Sequence, residues 1–106
     1  MENYSKDYIE AGQPLRELVF RLDPDGDQSI NVSTATSITF HFYNKTTKLS
    51  FDIAGAQYST NTSQVVCAVP GGRFVAGEYK VRAYIQFPGD SDPYPSDPVY
   101  LTVRPK

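Results

Sequence analysis

The feature that most constrains this chain is a nine-residue alternation over 79–87. Tyr79, Val81, Ala83, Ile85 and Phe87 hold the odd positions, while Lys80, Arg82, Tyr84 and Gln86 hold the even ones. Successive side chains of an extended strand point to opposite faces, so this run predicts a strand with one buried and one wetted side. Shorter triplets repeat the pattern: Leu18, Phe20 and Leu22; Ile38, Phe40 and Phe42; Leu49, Phe51 and Ile53; Val99, Leu101 and Val103. The 65–69 segment is apolar throughout, which predicts a strand without fixing its buried face.

Turn chemistry separates these runs. Asp23-Pro24-Asp25-Gly26-Asp27, Pro70-Gly71-Gly72 and Pro88-Gly89-Asp90 are turn formers, and Pro93, Pro95 and Pro98 stiffen what reads as a surface loop carrying Asp90, Asp92 and Asp97. No stretch carries a 3.6-residue apolar stripe. Hydrophobic residues make up 40% of 106, enough for one core in one domain. The expectation is an all-β chain of about seven strands forming an immunoglobulin-like antiparallel β-sandwich with Greek-key connections. It has no disulfide, because Cys67 stands alone. The sandwich is expected over residues 14–106, preceded by a polar N-terminal arm, 1–13. Tyr79 follows Gly77 in phase with the buried face, which predicts a tyrosine corner with its hydroxyl tied to an upstream backbone group.

Chemistry-bearing constellations are scarce. His41 is the single histidine and falls on the wetted face of its strand, with neither an orienting acid nor a nucleophile marked by the sequence. Cys67 reads as a buried small hydrophobe. The Asp23–Asp27 turn places carboxylates at alternate positions like an EF-hand opening. However, Gln28 stands where that loop needs glycine and Thr34 where it needs glutamate, so a hairpin turn is favoured. No phosphate-binding loop, zinc spacing or cofactor signature is present, and no catalytic residue is expected. A net charge of −2 with scattered basic residues argues against nucleic acid as a partner. No apolar run is long enough to span a membrane. Residues 1–9 lack the apolar stretch of a signal peptide, and the lone cysteine fits a reducing cytoplasm.

Two surface features remain. Tyr43, Tyr84 and Tyr100 all project from the outward faces of their strands, and Tyr4 and Tyr8 lie in the arm. Exposed tyrosines on a rigid sheet offer amphipathic area at low entropic cost, so these five are the candidate protein interface. Separately, all four asparagines (Asn3, Asn31, Asn44 and Asn61) begin Asn-x-Ser/Thr triplets, the acceptor pattern of a glycosylated extracellular module.

In chain order, Leu18-Val19-Phe20-Arg21-Leu22 runs into Asp23-Pro24-Asp25-Gly26, followed by Ser37-Ile38-Thr39-Phe40. Ala76-Gly77-Glu78-Tyr79-Lys80-Val81, Pro88-Gly89-Asp90, Tyr94-Pro95-Ser96 and Leu101-Thr102-Val103 come after. This succession resembles the small immunoglobulin-like virion modules of tailed bacteriophages, including the N-terminal domain of baseplate upper proteins. No Trp precedes the Gly-Glu-Tyr strand, and the 54–64 connection is polar. The resemblance implies a non-enzymatic structural protein present in many copies in a symmetric virion assembled in the host bacterial cytoplasm. Its partners would be the major capsid protein, as for a capsid cement or decoration protein, or neck or baseplate proteins. The alternative is an extracellular, glycosylated immunoglobulin-like recognition or adhesion module.

Overall fold

The computed structural model describes residues 9–22 and 31–105, with the side chain of Arg16 left aside. The turn holding Asp23 to Asp27, and Asn3, Tyr4 and Tyr8, lie outside the described residues. The chain is nearly all β, and no α-helix occurs among the described residues. The strands are β1 (Ile9–Glu10), β2 (Leu15–Arg21), β3 (Ser37–Asn44), β4 (Ser50–Ala54), β5 (Ala56–Gln57), β6 (Gln64–Val69), β7 (Gly77–Gln86), β8 (Tyr94–Pro95) and β9 (Val99–Arg104). A 3-10 turn, Val32–Thr34, precedes β3.

The strands form two sheets. The larger runs β1-β9-β7-β3-β4, with β8 paired to β7 off this path, and the smaller runs β2-β6-β5. The larger sheet is mixed because β1 lies parallel to β9, while every other pairing is antiparallel. Ile9 and Glu10, from the segment read as an arm, therefore add a short strand at one edge.

The alternation decides which side of each sheet is dry. Phe40, Phe42, Val81, Ala83 and Ile85 of the larger sheet are fully enclosed. They meet Phe20, Val65, Cys67 and Val69 of the smaller one in a single core. Phe20 and Phe40 pack edge to face across the two sheets, ring centres 5.0 Å apart. This is a sandwich-like arrangement. The apolar segment at 65–69 resolves as well: Val65, Cys67 and Val69 point inward, Val66 and Ala68 outward. In β2 a bulge between Leu15 and Leu18 lets Leu15 enter the core from the opposite parity to Phe20.

Tyr79 is 2% exposed, and its hydroxyl donates to the Val75 carbonyl and accepts from the Val75 N–H, each at 3.2 Å. The upstream tie expected from the Gly-Glu-Tyr sequence is present. Two local expectations need correction, and the proline-rich surface loop gains an anchor. Leu49 is 68% exposed: the alternation carries one residue too far, into the β3–β4 turn. The polar 54–64 connection holds β5, which leaves the larger sheet at Gly55 and pairs with β6 in the smaller. In the proline-rich loop, Ser96 is buried, its Oγ accepts from the Ala83 N–H at 2.9 Å, and its own N–H donates to the Ala83 carbonyl at 2.8 Å. A side-chain oxygen here continues the hydrogen bonding of β7 where the ladder of β9 stops.

Candidate functional site

With the odd residues of β7 committed to the core, its even residues must stand on the outer face of the larger sheet. The strand register then sets their neighbours. Tyr43 of β3 and Tyr100 of β9 lie directly opposite Lys80 on either side, giving a row Tyr43–Lys80–Tyr100. One rung along, Asp52, His41 and Arg82 form a second row across β4, β3 and β7. In the next, Thr39 and Pro95 flank Tyr84. The three strand tyrosines of the candidate interface thus share one face of one sheet. Tyr100 is 60% exposed, while Tyr43 and Tyr84 are half-buried among their neighbours.

Several of these side chains are held in place. His41 Nδ1 lies 2.7 Å from Asp52 Oδ1, and the His41 ring meets that of Tyr84 edge-on with centres 6.4 Å apart. Arg82 Nη1 donates to the Ser96 carbonyl at 2.8 Å. Lys45 Nζ sits 5.2 Å from the centre of the Tyr100 ring, within cation–π range. Glu78 Oε1 accepts from Thr102 Oγ1 at 3.0 Å. Two shallow hollows open on this face. One of about 370 Å³ lies over Thr39, His41 and Tyr84, with Gln86 and Pro93 at its rim. The other, of about 210 Å³, is lined by His41, Tyr43, Lys80, Arg82 and Tyr84.

Asp52 is the residue the sequence did not mark. It supplies the acid beside His41 because the β3–β4 register sets the two opposite each other, and both fall on wetted positions of their strands. A carboxylate that orients a histidine is one part of a hydrolytic triad, but no hydroxyl is hydrogen-bonded to His41 among the described residues. Ser37 lies four residues along the same strand, about 13 Å away in an extended chain. With the side chains 38% and 61% exposed, the pair also lacks the water-excluded setting that makes such a couple reactive. Cys67 is enclosed on the opposite side of the molecule's core, and burial pushes its thiol up to about 12, so it is a thiol rather than a nucleophilic thiolate at neutral pH. No cluster of three metal-ligating side chains occurs among the described residues. No described helix is long and apolar enough to cross a membrane.

The described asparagines of the Asn-x-Ser/Thr triplets have structural work. Asn31 Oδ1 accepts from the N–H of Ser33, Asn44 Oδ1 from that of Thr46, and Asn61 Oδ1 from that of Ser63, each at 2.9 Å. These are Asx turns, in which the side chain bonds to the backbone two residues on. Asn44 is only 1% exposed. A modifying enzyme has no access to its amide in the folded chain.

Comparison with protein-family models, with curated proteins and with solved structures finds no match to this chain.

Proposed function

We propose that this chain is a non-catalytic protein-binding module with an immunoglobulin-like Greek-key fold. It acts as a structural protein of a tailed-bacteriophage virion, as a capsid cement or decoration protein in preference to a neck or baseplate module. Support for the fold reading comes from the strand order. A five-strand path β1-β9-β7-β3-β4 facing β2-β6-β5, with a tyrosine tie before β7, follows the layout of variable-type immunoglobulin sandwiches. The single observation that carries the functional reading is the collection of Tyr43, Tyr84 and Tyr100 with His41, Lys80 and Arg82 on one rigid sheet face. Tyrosine and arginine are the residues that carry most of the energy at protein interfaces, and a sheet presents them already ordered. The virion assignment rests on the sequence resemblance.

The alternative, an extracellular glycosylated recognition or adhesion module, keeps Asn31 and Asn61 as exposed acceptor asparagines, while Asn44 is buried in the folded chain. Co-sedimentation of the purified chain with phage particles lacking it tests the proposal. Saturable binding at an integral copy number is expected, weakened at least about tenfold by Tyr84→Ala/Tyr100→Ala. Absence of binding to any particle would overturn the virion assignment. Binding that survives the double substitution unchanged would move the contact off this face.

A further inference from the structure

On the outer face of the larger sheet three cations outnumber the two carboxylates beside them. Lys45, Lys80 and Arg82 stand there with Asp52 and Glu78, but Asp52 is engaged by His41 and Glu78 by Thr102. Lys45 lies against Tyr100. Lys80 and Arg82 make no ion pair among the described residues, in a chain whose net charge is −2. Both project from the central strand β7, two residues and so about 7 Å apart, into the hollow of about 210 Å³ walled by Tyr43 and Tyr84.

The hollow is also prepared for an anion. The hydrogen bond from Arg82 Nη1 to the Ser96 carbonyl fixes the guanidinium, leaving the rest of its fork to donate elsewhere. His41 is pinned by Asp52 at the hollow's edge. A negative group entering here meets a guanidinium that is already held, which lowers the entropic cost of a charge-assisted contact with Arg82. The volume is ample for one carboxylate-bearing side chain. The surrounding tyrosines offer apolar area to the residues on either side of it.

We propose that this hollow receives an Asp or Glu side chain from an acidic segment of the partner protein, lodged between Lys80 and Arg82. The inference rests on the reading of this face as the contact surface, and deepens it by naming the chemistry the partner presents.

The probe is a short synthetic peptide of glutamates spaced among serines and leucines, titrated into the isotopically labelled full chain and followed by amide chemical shifts. Its twin carries Gln in place of every Glu. The acidic peptide is expected to shift the amides of His41, Tyr43, Lys80, Arg82 and Tyr84, with affinity about tenfold lower for Lys80→Gln/Arg82→Gln. The Gln peptide is expected to leave them in place. Equal shifts with both peptides, shifts gathered instead at Lys48 or Arg73, or the same shifts from inorganic phosphate alone would each overturn the proposal. Particle binding reduced by Tyr84→Ala/Tyr100→Ala but untouched by Lys80→Gln/Arg82→Gln would also overturn it, while leaving the contact face standing.

Discussion

Asn44→Ala is expected to destabilise the fold by about 3 kcal/mol, seen as a lower denaturation midpoint at unchanged slope. The residue ends β3 in the buried phase of its alternation and is 1% exposed. Its Nδ2 donates to the Ala76 carbonyl at 3.1 Å, while Oδ1 accepts from the N–H groups of Thr46 at 2.9 Å and Thr47 at 3.1 Å. One side chain thus closes the β3–β4 turn and ties it to the corner that opens β7. Alanine leaves three backbone groups short of a partner in a part-buried place and adds a void where the amide was. Gly77 belongs to the same knot. Its φ of +148° is a conformation that side chains rarely adopt, and a Cβ there would overlap Asn44 Oδ1. An unchanged midpoint for Asn44→Ala would mean that the turn and the corner are held by other contacts.

Gly55→Ala is expected to cost about 2–3 kcal/mol, from overpacking alone. At Gly55 the chain leaves the larger sheet, where its N–H donates to the Ile38 carbonyl at 2.8 Å, and enters the smaller one as β5. An added Cβ would lie 2.6 Å from Phe40 Cε1, 2.8 Å from Cδ1 and 3.0 Å from the Val66 carbonyl oxygen. The Phe40 ring cannot give way easily, being fully enclosed and packed edge-on against Phe20. Phe40→Leu, itself destabilising, should lessen the cost of the Gly55 substitution by about 1 kcal/mol, because the two sites share that contact. Strict additivity in the double-mutant cycle would contradict the close approach of Gly55 to the Phe40 ring.

What the sequence displayed, and what it hid, follows from the range of each interaction. The buried faces of β3 and β7 were legible because period-two alternation is set within a single strand, and Tyr79 because Gly77 and the strand phase agree. Asn44 carried a signal of the same kind: it continues the inward series Ile38, Phe40, Phe42, and a polar residue in that phase must find partners inside. The Asn-x-Ser/Thr triplet drew attention to its surface chemistry instead. By contrast, Asp52 beside His41 depends on the register between two strands, which periodicity does not encode. The shortest strands, β1, β5 and β8, have two residues each, too few for an alternation to show. Ser96 is fixed by a contact with Ala83, thirteen residues away. The alignment of Tyr43, Lys80 and Tyr100 in one row likewise needed the sheet order, although each residue's outward direction did not.

The claim that the outer face of the larger sheet is the contact surface is tested most directly by hydroxyl-radical footprinting of the chain free and bound to its particle. Oxidation of His41, Tyr43, Tyr84 and Tyr100 is expected to fall on binding, while Val19 on the smaller sheet and Leu49 in the β3–β4 turn stay as reactive as before. Protection of Val19 with the three tyrosines unchanged would contradict the account and place the contact on the opposite sheet.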